Sequence, residues 1–343
     1  LETGGAPLLD IWGTAIYAEE AGQIRWGGIV TSVEASGPDL SVTADGFAAY
    51  PRGIAYGGVY RRWAVDPLDV VREIWSHVQS QPDGDLSLVV DGTTSDQTVG
   101  DVEPPAKPVR DAGETQADFQ NRVSDWEKAY GDRSRYELVW WESTDCGAEI
   151  DTLAAEIPFD WREEHVWAGD DREAVTHRLR LGYPRLGRRQ EHLRFTEGEN
   201  VTEVVAVTRD GDEFANEVIF LGAGEGRKTV RVRVPGRDGR LRRTHVITDK
   251  SVRHDGRATR LARSSLHVRR HVEEITRCVV ADHPNAPLGS FHVGDDILVS
   301  AHTGWADADI WSRITGYTYR PADGRIELDL TRADSYSYRG THG

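Results

Sequence analysis

Three arrangements in the sequence have the residue types of a binding or reactive site, and each also has a plain structural use. Leu221-Gly222-Ala223-Gly224-Glu225-Gly226 follows an apolar run, where a phosphate-binding loop would stand. Such a loop needs a helix next, because the free amides of a helix N-terminus hold the anion. The next residues, Thr229-Val230-Arg231-Val232-Arg233-Val234, alternate as a strand does, so a glycine-rich hairpin is expected. His267 and His271 stand four apart, the spacing of two metal ligands on one helical face. Arg269 and Arg270 lie between them, the segment reads as a helix giving way to a strand, and there is no H-E-x-x-H. Glu163-Glu164, Asp170-Asp171 and Asp295-Asp296 would suit acid–base chemistry only if carboxylates faced one another across a cleft. With 57 carboxylates in the chain, adjacency arises by chance. No G-x-S-x-G, Walker A loop or kinase signature is present. The reading is therefore of a protein that is not an enzyme. No catalytic, cofactor-binding or metal-ligating residue is assigned, and no cofactor is expected.

Charge is the other chemical resource. The 343 residues carry 41 basic and 57 acidic side chains, a formal net of -16. Residues 1–150 hold 11 basic and 26 acidic ones; residues 227–270 hold 15 basic and three acidic. A chain this acidic is a poor nonspecific duplex binder, because phosphate contacts dominate that affinity. Within the basic stretch Arg253, Arg257 and Arg260, with Val252, Leu261 and Leu266 between them, predict an amphipathic helix with an arginine face. That face is expected to be solvated or to dock an acidic protein neighbour. It lacks the stacking aromatics of single-strand binders.

The elements that must position these groups are mostly strands. Leu8–Ala18, Gln23–Ala35 and Asp39–Ala48 read as strands broken by Gly, Pro and Asp turns, the rhythm of a small barrel or sandwich. Asp66-Pro67 opens a helix with Leu68, Val71, Ile74, Trp75 and Val78 on one stripe. A strand over Leu86–Val90 leads to a polar, proline-bearing loop at Asp91–Gly113 and a surface helix at Glu114–Tyr130. A strand at Ser134–Glu142 and a short helix at Gly147–Ile157 come next. Thereafter strands dominate, at Ala174–Tyr183, Glu191–Phe195, Thr202–Thr208, Ala215–Leu221, Lys228–Pro235, Val293–Ala301, Ile310–Tyr319 and Ile326–Leu330, with a helix over Ser251–Leu266. The fold class is mainly β with an α/β insertion. Two cysteines, Cys146 and Cys278, allow no disulfide framework, and no run approaches the about 18 apolar residues of a spanning helix, so no membrane insertion is expected. Leu1 to Glu20 lack a secretory signal pattern, and the absence of Met is read as N-terminal trimming.

Several segments, taken in order, resemble one family. They are Ile24-Arg25-Trp26-Gly27-Gly28-Ile29-Val30, the Gly/aromatic segment Phe47–Tyr60, and Leu181-Gly182-Tyr183-Pro184-Arg185-Leu186-Gly187-Arg188. Phe195-Thr196-Glu197-Gly198-Glu199-Asn200-Val201, the run Phe214 to Gly226, and Val293-Gly294-Asp295-Asp296-Ile297-Leu298-Val299 complete the set. Together they resemble the minor tail protein, or tail hub, of long-tailed bacteriophages of high-GC Gram-positive hosts. The resemblance implies a structural virion protein with two small β-barrels per protomer, assembled as a homotrimer. The resulting ring would continue the tail tube and line the channel through which genomic DNA passes. It would sit at the virion tail tip, after assembly in the host cytoplasm. Its neighbours would be the distal tail protein, the tape-measure protein and the tip or receptor-binding proteins. The implied domains are 1–65, the N-terminal part of the first barrel; 66–190, an α/β insertion with exposed loop and helix 91–131; 191–245, strands completing the first barrel; and 246–343, the second barrel region with helix 251–266. Loop 91–113 and helix 114–130 match nothing in that family and are expected to decorate the periphery.

Two other functions fit parts of the sequence. A tail-tip carbohydrate-binding or adhesin module would use exposed aromatics; of eleven Trp, Trp63, Trp161, Trp167 and Trp305 are the candidates for exposure, while Trp12, Trp26, Trp75 and Trp311 fall in apolar patterns expected in the core. A cell-wall hydrolase would need convergent catalytic groups, and none can be nominated.

Overall fold

The computed structural model describes residues 2–3, 6–7, 9–20, 22–157, 159–169, 171–250, 252, 255–305, 307–320 and 323–333. The chain divides into two compact units, residues 1–186 and 187–343.

In the first unit, β1 (Ala15–Glu20), β2 (Gln23–Ser36) and β3 (Asp39–Gly46) form an antiparallel meander. Next come β4 (Val59–Arg62), α1 (Pro67–Gln79), β5 (Leu88–Val90), α2 (Gln116–Tyr130), β6 (Tyr136–Val139), α3 (Cys146–Glu156), β7 (Asp160–Trp167) and β8 (Val175–Gly182). β8 is the centre of a three-stranded sheet, parallel to β5 and antiparallel to β7, while β4 and β6 pair as a separate antiparallel ribbon. α1 starts where the sequence predicts: Asp66 caps it, accepting from the Leu68 amide at 2.9 Å, and Pro67 loses nothing at a position whose amide has no helical acceptor. Its Leu68, Val71, Ile74, Trp75 and Val78 are buried in one core with Phe47, Tyr60, Leu138, Leu153, Leu179 and Leu181. α2 buries nothing. Arg122 binds Glu114 at 2.7 Å and the Trp126 indole donates to the Pro105 carbonyl at 2.9 Å, so the helix is tied to the preceding loop.

The second unit holds β9 (Phe195–Thr196), β10 (Glu217–Leu221), β11 (Arg231–Pro235), β12 (Thr244–Thr248), α4 (Asp255–Arg269), β13 (Arg277–Ala281), β14 (Asp296–His302), β15 (Asp307–Arg320) and β16 (Arg325–Arg332). Five strands form one sheet in the order β9-β14-β15-β16-β13. Segment 197–202 links its two outer strands: it leaves β9, Val201 bridges Val280, and the Thr202 amide donates to the Val279 carbonyl at 2.8 Å. Phe195, Ile275, Ile297, Val299, Ile314 and Leu328 fill the core beneath. β10, between β11 and β12, makes a second sheet on which α4 lies through Ala258, Ala262 and Leu266. Two small residues on that stripe let the helix approach the strands closely. Leu261, expected on the buried face, is exposed.

Two expected strands are mostly irregular. Within Glu191–Phe195 only Phe195 joins a ladder, because the Asn200 side chain caps the turn, accepting from the Thr196 amide and donating to the Arg194 carbonyl. Within Thr202–Thr208 only the last residue pairs, and Val204 is 89% exposed while Val205 is buried. Alternating valines report an extended, half-buried chain. They do not supply the neighbouring strand edge that a ladder needs.

Candidate functional site

In the first unit four titratable side chains meet around two buried histidines. On β7 Glu163 and His165 are two residues apart, so both project from one face. Across the ladder His177 of β8 stands directly opposite His165. Tyr17 of β1 and Phe47, just after β3, close over them, with the Phe47 and His177 rings stacked at 4.5 Å. Both imidazoles are only 8% exposed.

Hydrogen bonds run through the group without a break. Glu163 accepts from the Phe47 and Ala48 amides, each at 2.8 Å, and meets His165 Nε2 at 3.1 Å. His165 Nδ1 lies 3.0 Å from His177 Nδ1, and His177 Nε2 lies 3.3 Å from the Tyr17 hydroxyl. A carboxylate only accepts, so His165 donates from Nε2, and in its neutral form its Nδ1 accepts from His177. His177 then accepts from Tyr17 at Nε2. One assignment with two neutral imidazoles and one carboxylate satisfies every polar atom of the chain. Burial, then the neighbouring His165, pushes the His177 pKa below the ordinary imidazole value, with Glu163 opposing; burial also raises that of Tyr17.

Two glycines make the room. A Cβ on Gly27 of β2 would come within 2.8 Å of the Tyr17 ring and 3.0 Å of His165, and one on Gly46 would meet the Glu163 carboxylate at 2.6 Å. The opposite face of β7 is an ion-pair surface, where Glu164 binds Arg162 at 2.7 Å and Arg180 at 2.8 Å. The adjacent acids Glu163 and Glu164 are thus separated by the strand itself.

The other sequence candidates are scattered. The glycine-rich loop is a hairpin between β10 and β11, closed by the Gly222 amide on the Val230 carbonyl at 2.7 Å. His267 near the end of α4 and His271 beyond it meet edge to face at 5.4 Å. Among the described residues no three His, Cys, Asp or Glu side chains are grouped to hold a metal ion. Asp170 lies outside the described residues. Asp295 is a loop latch, accepting from the Arg188 amide at 2.9 Å, the Gln190 side chain at 2.8 Å and the His292 amide at 3.0 Å. Arg253 and the side chain of Arg257 lie outside the described residues, and Arg260 is exposed. Four arginines of the basic stretch are paired internally. Buried Glu217 takes Arg233 and Arg242, Asp238 takes Arg240 at 2.8 Å, and Arg269 pairs with Glu213.

The tryptophans divide differently from the sequence expectation. Trp75 is in the core, but Trp12 is 54% exposed and Trp26 also reaches solvent, because each flanks the buried Gly27–Val30 stretch rather than joining it. Trp63, Trp161, Trp167 and Trp311 are half-buried, and Arg135 and Arg189 guanidiniums cover Trp63 and Trp311. Only Trp305 of the four exposure candidates is open, at 98%, on the β14–β15 hairpin. Trp140, an alternating position of the expected strand Ser134–Glu142, and Trp141 are exposed neighbours after β6, which ends at Val139; their rings meet at right angles, with Arg61 over Trp141.

His165 and His177 were not foreseen as a pair. The available signal was hairpin symmetry: a turn centred on Asp171 brings residues equidistant from it, 165 and 177, face to face. Tyr17 is 160 residues from His177 and carried no such signal.

No protein-family model matches the chain, and no curated protein does. Among solved structures it is similar to the 43 kDa tail protein of prophage MuSo2 from Shewanella oneidensis, at 10% identity and a TM-score of 0.58, over 96% of this chain and 85% of that one. A tail protein from Neisseria meningitidis MC58 aligns over 94% of this chain and 85% of its own at 15% identity, with a TM-score of 0.47. Prophage tail protein gp18 from Listeria monocytogenes EGD-e aligns over 97% and 83% at 10% identity, with a TM-score of 0.48. The first of these likenesses is one of fold. Over nearly its whole length the chain is built like a prophage tail protein.

Proposed function

We propose that this chain is a structural protein of a phage tail. The observation that carries the proposal is the fold shared with the MuSo2 tail protein across 96% of the chain. In finer terms it is a hub of long-tailed phages of high-GC Gram-positive hosts: three copies form a ring that continues the tail tube and lines the DNA exit channel. The ring joins the distal tail and tape-measure proteins to the tip or receptor-binding proteins, and the chain catalyses no reaction. Two small barrels per chain would give that ring its wall, and the link from β9 through Val201 to β13 supports a closed sheet in the second unit. The segments that resemble the hub family support the same reading, since Gly27, Asn200 and Asp295 set close approaches and latch turns. Part of the acidic surface of residues 1–150 would face the lumen, where like charge keeps passing DNA from adhering.

Gold-labelled antibodies against the chain test the location. Label at one end of the tail of particles that encode it is expected; its absence from purified particles, or label on heads, overturns the proposal. A second reading, a glycan-binding tip module, is favoured by the open indole of Trp305. Saturable binding on a glycan array that Trp305→Ala abolishes would support it.

A further inference from the structure

We propose that the buried chain Tyr17–His177–His165–Glu163 is a proton-operated latch, which holds the β1–β2–β3 meander on the β7–β8 strands at neutral pH and releases it in mild acid. The proposal rests on geometry and does not depend on the tail reading. Glu163 and Tyr17 reach across the contact, Glu163 to the amides just after β3 and Tyr17 from β1 to His177. With both imidazoles neutral, every donor has an acceptor.

Added protons upset this balance. One can be accommodated: an imidazolium at His165 keeps Nε2–H on Glu163 and turns Nδ1–H toward His177 Nδ1. His177 must then carry its own hydrogen on Nε2, facing the Tyr17 oxygen, and the tyrosine hydroxyl gives up its acceptor. A second proton has no place. Two Nδ1–H groups would point at each other across 3.0 Å, and two positive rings would share one carboxylate in a buried site. The closed geometry therefore has room for one added proton and excludes the second.

The titratable groups facing the rings are Glu163 from β7 and Tyr17 from β1. β2 contributes Gly27, and the turn after β3 contributes the Phe47 ring and two amides, none of which titrates. Burial and His165 hold His177 below the ordinary imidazole value. Its neutral form is thus favoured in the closed state, and the stabilisation this gives is complete above the unfolded value of about 6.5 and lost as pH falls below it. For each proton taken up on opening, the opening equilibrium rises about tenfold per pH unit in that window.

Two measurements on the full chain test this. In the first, the imidazole carbons of His165 and His177 are followed by NMR between neutral pH and pH 5. His177 is expected to protonate only as the latch opens. In the second, amide exchange of β1, β7 and β8 is followed over the same range and corrected for its intrinsic pH dependence. Protection of these strands should fall about tenfold per pH unit below about 6.5 while α1 stays protected. His177→Gln, which cannot protonate, should flatten that dependence. Should this variant fail to fold, Tyr17→Phe keeps the ring packing, removes the hydroxyl that receives the shifted hydrogen, and should lower the pH at which the first proton enters. Protonation of His177 near its ordinary value of about 6.5 with unchanged β1 protection down to pH 5 would overturn the proposal, as would an unaltered pH dependence in His177→Gln.

Discussion

A single missing side chain, that of Gly27, decides whether the meander can close over the histidines. An added methyl would stand 2.8 Å from the half-buried Tyr17 ring and 3.0 Å from the buried His165. Gly27→Ala should therefore lower stability by about 1–3 kcal/mol, as overpacked cores do, measured by urea unfolding at pH 7.5; a change under about 0.5 kcal/mol would contradict the packing described. The cysteines make the opposite kind of prediction. Burial raises the Cys146 thiol to about 11 and the Cys278 thiol to about 12, so neither is a thiolate near neutrality. Neither should react with a thiol reagent in the native protein, and both should react after denaturation. Fast labelling of the native chain would contradict this.

Helices carry their signals locally, and this is why they were legible. The Asp66-Pro67 start and the stripe from Leu68 to Val78 lie within fifteen residues of one another and mark α1 to within a residue at each end. Asp66 also accepts from the Ser95 amide at 2.7 Å, so one carboxylate caps the helix and anchors a loop. Asp66→Ala should cost about 1–2 kcal/mol by thermal or urea unfolding, while Asp66→Asn, which can still cap, should cost less. Strand pairing was legible only where a short turn fixes the partner, as at β10–β11. Val204 shows the limit: apolar alternation placed it in a strand, but only the last residue of its segment joins a ladder. The histidine group was hidden for the same reason. Its members are unremarkable until β8 is laid on β7 in register and Tyr17 arrives from the far end of the unit. Exposure of Trp12 and Trp26 was equally invisible, since an apolar pattern does not say where a buried stretch stops.

At the scale of the whole molecule, charge is unevenly spread. The acidic excess sits in residues 1–150, whereas four arginines of 227–270 are paired within their own unit, at Glu217, Asp238 and Glu213. Head-to-tail attraction between copies would thus be weaker, and less salt-sensitive, than the raw count of basic residues implies. The measurement that reaches the central claim most directly is the solution molar mass of the purified protein by light scattering across micromolar concentrations at pH 7.5. A ring-forming tail hub predicts a species of three times the 38.2 kDa chain, gaining weight as concentration rises and persisting in salt. A mass fixed at one chain over the whole range would contradict a self-assembling ring.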